Sequence, residues 1–144
     1  MAHPLRHHRN FPRNTIFPQF IMRTLLYTTL LLLWSGQVLS ADIGKGAKVY
    51  RKCKACHLVT NEGKRRIGPH LSAIMGRDIA SIIGYKYSKA MRNYANTNGT
   101  WNEQRMRAYL ANPKKEVKGG RMAFIGIRKE KDMNNLIAYL KSLP

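Results

Sequence analysis

Cys53-Lys54-Ala55-Cys56-His57 is the stretch from which the rest of this chain can be read. Two thiols separated by two residues, with an imidazole directly after the second, form the C-x-x-C-H signature of covalent haem c attachment. The spacing follows from the chemistry. Each thiol adds to one of two vinyl groups on the same porphyrin edge, and the adjacent His is pinned under the ring with a nitrogen aimed at the iron. Other uses of the motif fit less well. A redox C-x-x-C is read within a βαβ pattern, and no such pattern surrounds this one. A structural zinc site needs four Cys or His ligands, whereas Cys53 and Cys56 are the two cysteines of the chain and His70 is the one further His after residue 42. A disulfide between the thiols would leave the following His as coincidence.

Upstream of the motif, residues 24–34 read TLLYTTLLLLW, with Arg23 before them and SGQVLSAD after them. A basic start, an apolar core and small residues near a cleavage point describe a signal peptide. Cleavage is expected after Ser40 or Ala41, and Met22 is the expected initiator, because His3, His7, His8 and the early arginines are foreign to a signal start. The run falls short of the roughly 20 apolar residues that span a bilayer; an uncleaved anchor is the alternative. Residues 1–41 are thus read as extension plus leader and residues 42–144 as one small domain. Setting aside Arg6, Arg9, Arg13 and Arg23 leaves 22 of the 26 basic residues against 7 acidic ones, a formal +15. That charge points to acidic partners or an anionic membrane surface, and export excludes nucleic acid.

Within this domain the periodicity is helical and no strand is evident. Asp42 can cap a helix running into the haem motif, with Ile43, Gly46, Ala47 and Tyr50 on one face. Gly46 in a helix interior costs about 1 kcal/mol against Ala, so close helix–helix contact is expected there. Near the end, Met133, Leu136, Ile137 and Leu140 form an i, i+3, i+4, i+7 stripe. Two short amphipathic helices each need a partner, and the simplest arrangement packs them on one another. Between them, Ser88 opens a helix through Asn93, followed by an expected turn at Asn96-Thr97-Asn98-Gly99. Thr100 and Glu103 fit a capping box for a helix presenting Met106, Tyr109 and Leu110 and ending at Asn112 before Pro113. The fold class is all-α, with so many loops that a buried porphyrin has to supply much of the core. On composition, the iron's second ligand is open among His70, Met75, Met91, Met106, Met122 and Met133; Met122 stands out because it follows a Gly-rich loop.

The whole of residues 42–144 resembles a class I, mitochondrial-type cytochrome c and its small bacterial relatives. The resemblance is carried by CKACH, Gly68-Pro69-His70-Leu71, Gly76-Arg77, Gly84-Tyr85-Lys86-Tyr87-Ser88, Trp101, YLANPKK at 109–115, GGRMAFIGI at 119–127 and LIAYLK at 136–141. It implies N- and C-terminal helices that cross, with loops wrapping one haem c. Cys53 and Cys56 would bind the vinyl carbons, and His57 and Met122 would ligate the iron. Pro69 would accept a hydrogen bond from the other imidazole nitrogen, fixing the tautomer. Arg77, Tyr87 and Trp101 match positions that meet a haem propionate, Tyr109 matches a tyrosine beside the Met sulfur, and Gly46 and Tyr50 match the face crossing Leu136 and Tyr139. Two positions depart from the family. Lys118-Gly119-Gly120-Arg121 stands where Pro-Gly-Thr-Lys is usual, removing a stiff residue and a hydroxyl, and Met91 replaces an Asn that helps hold an internal water.

The implied function is soluble, non-enzymatic carriage of single electrons, because His/Met ligation fills both axial sites and raises the reduction potential. A haem-based peroxidase or gas-binding protein is the alternative if Met122 does not ligate. The resemblance further implies a periplasmic monomer whose basic rim (Lys52, Lys114, Lys115 and Arg121, with Lys54 and Arg66) docks acidic redox proteins. A quinol–cytochrome c reductase, a terminal oxidase, a reaction centre or a periplasmic dehydrogenase would each serve, with peripheral contact to an anionic membrane.

Overall fold

Asp42 begins the first helix as the sequence predicts: its carboxylate accepts from Lys45 N at 2.9 Å, satisfying one of the N–H groups a helix start leaves unpaired. The computed structural model describes residues 40–63 and 66–144. The leader and the expected Met22 start lie outside the described residues. Five helices are seen among the described ones: α1 (Ile43–Tyr50), α2 (Lys89–Asn98), α3 (Glu103–Ala111), α4 (Pro113–Glu116) and α5 (Glu130–Lys141). The one β-type pairing among them is an isolated antiparallel bridge between Asp78 and Thr100.

The terminal helices pack together, as expected. A Cβ at position 46 would lie 2.0 Å from Asn135 O and 2.6 Å from Tyr139 Cβ, so the absent side chain of Gly46 is what lets the backbones meet. Tyr50 and Tyr139 pack with ring centroids 5.4 Å apart, and Asn135 reaches back to accept from Asp42 N at 2.8 Å. Met133, Leu136, Ile137 and Leu140 are all buried, Leu136 to 1% exposure. The buried face of α1 is Gly46, Val49 and Tyr50. Ile43, read into that face, is instead 51% exposed.

The middle helices differ from the reading at their ends. The second does not stop at Asn93; it runs through the expected turn to Asn98, with Gly99 as C-cap. Asn98 Nδ2 donates to Tyr94 O at 2.9 Å and Thr97 Oγ1 to Asn93 O at 3.3 Å, so side chains that usually disfavour a helix here bond its last carbonyls. The capping box is also displaced. Asn102 caps α3, its side chain accepting from Arg105 N at 2.9 Å. Glu103 instead pairs with Arg107 (2.9 Å) and, across to α5, with Lys141 (2.6 Å). The helix ends at Ala111 as Pro113 requires, and its expected inward residues Met106, Tyr109 and Leu110 are buried. Pro113 then starts α4, where its missing N–H costs nothing.

Candidate haem site

The C-terminal end of α1 tightens into a turn that presents the motif. Cys53 N donates to Tyr50 O at 2.7 Å, and Cys56 N and His57 N both donate to Cys53 O, at 3.0 and 2.9 Å. Tyr50 OH then donates to His57 O at 2.6 Å, tying the helix to the imidazole's own peptide. Both cysteines are free and half-buried. Burial pushes the Cys53 thiol up from its ordinary value.

His57 is held on two sides. Its Nδ1 lies 2.7 Å from the Pro69 carbonyl. A carbonyl only accepts, so the proton sits on Nδ1 and the lone pair on Nε2. Against the ring lies Gly68, where a Cβ would come within 2.4 Å of Cε1, and Gly68 N is fastened to Cys56 O at 2.8 Å. Burial lowers the His57 pKa, opposed by the Pro69 bond. The result is a neutral imidazole of fixed tautomer with Nε2 left to coordinate.

The other expected residues gather in two groups. Trp101 N donates to Arg77 O and Gly76 N to Trp101 O, each at 2.9 Å, so Arg77 and Trp101 are joined through the backbone. The Arg77 guanidinium donates to His70 O at 2.9 Å and Ser72 O at 2.5 Å, which holds the loop after Pro69. Tyr87 OH accepts from Ile82 N at 3.4 Å, and burial pushes this phenol up while the Arg77 charge opposes the shift. Trp101 packs 5.1 Å from Tyr109, whose phenol is pushed up to about 12 by burial. Met122 is partly buried against the same core as Cys53, Leu71, Met75, Met91 and Phe124. Met106 and Met133 are core residues, each 5% exposed.

The segment carrying Met122 is a defined turn. Gly120 N donates to Val117 O at 2.9 Å, and Ile127 N, beyond the Met, to Leu110 O at 2.9 Å. Gly119 has φ +83°, a conformation that glycine adopts without strain. Sequence reasoning missed three contacts near the site: Tyr50 to His57 O, Tyr85 OH to Ile67 O at 2.9 Å, and Tyr94 OH to Glu116 Oε1 at 2.8 Å. Each joins residues of different segments, and only the first left a signal, a tyrosine one helical turn before the motif.

These residues fit a haem c: two free thiols at attachment spacing, an imidazole with Nε2 uncommitted, and a glycine leaving the ring unobstructed. Residues 43–144 match the protein family described as Cytochrome c. The chain is 42% identical over 107 residues to a cytochrome c-type cyt cy of Rhodobacter capsulatus, a match covering 74% of this chain and 51% of that protein. It therefore spans about half the length of that relative. It is 38% identical to a cytochrome c2 of Agrobacterium tumefaciens (69% of this chain, 89% of that protein). With a cytochrome c of Gibberella zeae the identity is 44% (69% and 92%).

Proposed function

The chain belongs to the cytochrome c family of haem c electron carriers, and we propose that it is a one-electron shuttle whose haem is ligated by His57 and Met122. The observation that carries this reading is the bond between His57 Nδ1 and the Pro69 carbonyl with Gly68 against the ring. It makes His57 a rigid, neutral ligand that need not rearrange when charge changes.

When bound, the haem supplies one reversible change of iron oxidation state. The chain's own residues govern how that change is used. Cys53 and Cys56 would hold the porphyrin through thioethers, while Pro69 and Gly68 hold the imidazole in place. Met122 would supply a thioether, a soft ligand that favours the reduced metal. Buried Trp101 and Tyr109 exclude water, and the half-buried charge of Arg77 stands beside Tyr87 to offset a propionate. His57 and Met122 would together hold the iron as protein ligands, which suits electron passage rather than substrate binding.

The partners are redox proteins. Acidic ones among them, docking on the exposed Lys52, Lys54, Arg66, Lys114, Lys115 and Arg121, match the net charge. Export to the periplasm, with residues 1–41 removed, is part of the proposal and is supported by the leader-like run at 24–34. Among the described residues no helix is long and apolar enough to cross a membrane.

Visible spectroscopy of the holoprotein tests the ligand set. A near-red sulfur-to-iron charge-transfer band in the oxidised protein, abolished by Met122→Ala, is expected. High-spin iron that takes up CO readily on reduction would overturn it in favour of a peroxidase or gas-binding site.

A further inference from the structure

The turn before Met122 has to be held by something other than its own stiffness. Lys118-Gly119-Gly120 includes two glycines, which lose more conformational freedom on ordering than any other residue. Inside the segment, Val117 is 3% exposed and anchors one end, and the Gly120–Val117 bond closes the turn. Packing on the outer side is sparse. A cleft of ≈ 770 Å³ lies between α2 and the turn, lined by Ala90, Tyr94, Asn98, Glu116, Gly119 and Arg121 among others. Arg121 reaches Lys86 O at the limiting distance of 3.5 Å, from an exposed side chain.

One short side-chain bond bridges this cleft. Tyr94, on α2, donates to Glu116 Oε1 at 2.8 Å, and Glu116 is the last residue of α4, directly before Val117. The donor end is firm. The Tyr94 ring packs 6.1 Å from Trp101, which is 7% exposed and packs in turn against Tyr109 in a tilted pair. A hydroxyl donating to a carboxylate is a charge-assisted bond, the stronger kind. Burial first, and Glu116 second, push the Tyr94 phenol up to about 12, so the donor keeps its proton throughout the neutral range.

We propose that Tyr94 is a positioning residue for the methionine ligand, acting through its hydrogen bond to Glu116 to hold the Val117–Arg121 turn and so keep Met122 on the iron. The inference rests on Met122 being that ligand. The Tyr94 hydroxyl bonds to Glu116 and its ring packs near Trp101. Tyr94 thereby ties the start of the ligand segment to the aromatic cluster of the core, across the cleft.

Imidazole is a suitable probe, because it binds the oxidised holoprotein only by displacing the methionine. In Tyr94→Phe, imidazole should bind about fivefold to tenfold more tightly than in wild type, the scale of one partly exposed hydrogen bond lost. Glu116→Ala should match it, and the double variant should gain no more than either single one, since both remove one interaction. Glu116→Gln retains a neutral acceptor oxygen and should fall between wild type and Glu116→Ala. Thermal unfolding separates positioning from general stability: Asn134→Ala, which removes the acceptor of Arg107 at 2.6 Å, should lower Tm without changing imidazole affinity. Unchanged imidazole affinity in Tyr94→Phe, or additive effects in the double variant, overturns the proposal. A wild-type protein without the near-red band overturns the ligand assignment and this inference with it, whereas a wild-type band with an unresponsive Tyr94→Phe overturns this inference alone.

Discussion

At position 68 the ring of His57 leaves no space for a side chain: a Cβ would sit 2.4 Å from Cε1 and 2.7 Å from Nδ1. Real Cβ atoms do not approach so closely, so Gly68→Ala must either turn the imidazole or move the Gly68–Pro69 backbone, and either breaks the Nδ1–carbonyl bond. The expected cost is about 2–4 kcal/mol from overpacking plus a lost buried hydrogen bond. It is measured as a fall in the denaturant midpoint of the holoprotein together with perturbed haem spectra. A variant with wild-type stability and spectrum would show that the ring tolerates rotation. A milder change tests the link between loops. Tyr85→Phe removes the bond to Ile67 O and should cost about 1 kcal/mol, read from the same denaturation curve, with an unaltered m-value. Cys53, Cys56 and His57 were legible because their meaning lies in local spacing. The roles of Gly68 and Tyr85 were not, since each depends on a segment at least eleven residues away.

Helix packing sets the next scale, and position 46 is its most exacting point. Gly46→Ala would put a Cβ 2.0 Å from the Asn135 carbonyl, and backbone cannot yield as a flexible side chain does. The gain in helix propensity, about 1 kcal/mol, is therefore outweighed. We expect net destabilisation of at least about 3 kcal/mol, seen as a Tm drop, with a Tm equal to or above wild type refuting the close contact. Glu103→Gln acts between α3 and α5, where Glu103 pairs with Arg107 and Lys141. These groups remain partly open to solvent, so its loss should cost about 1 kcal/mol or less, and less in high salt. Here the sequence was informative in proportion to periodicity. The stripe at Met133, Leu136, Ile137 and Leu140 could be read because helical spacing exposes it. The end of α2 could not, because Asn and Thr signal turns unless their side chains bond back to the helix, as Asn98 and Thr97 do. Nor could α4, whose four residues are too few to show a period.

Charge belongs to the whole molecule, and it governs both ends of the pH range and the approach of partners. Tyr94 and Tyr109 titrate near 12 when folded, above their ordinary value of 10.0. Their contribution is full below pH 10 and is lost as pH rises through 10 to 12, so Tm measured against pH should turn down on that limb. Glu103 runs the other way: Lys141 and then Arg107 hold it below its ordinary 4.5, so its stabilisation is present above that value and is lost as pH falls below it. Neither limb touches the pH range in which docking occurs, where the net charge is fixed. Residues 42–144 carry a formal charge of +15, from 22 basic and 7 acidic residues, and Lys52, Lys54, Lys114, Lys115 and Arg121 are all exposed. At about 0.1 M salt charges more than about 10 Å apart are largely screened, so a steering field built from many separate lysines should collapse over the physiological range. The association rate with an acidic redox protein should therefore fall by about 10-fold or more between low and physiological ionic strength. Reversing Lys114 and Lys115 to Glu should lower the low-salt rate while leaving the near-red band in place, because neither side chain joins the hydrogen bonds that hold the Met122 turn. Stopped-flow rates that stay level with salt, or that ignore the double reversal, would place docking on some other face of the molecule.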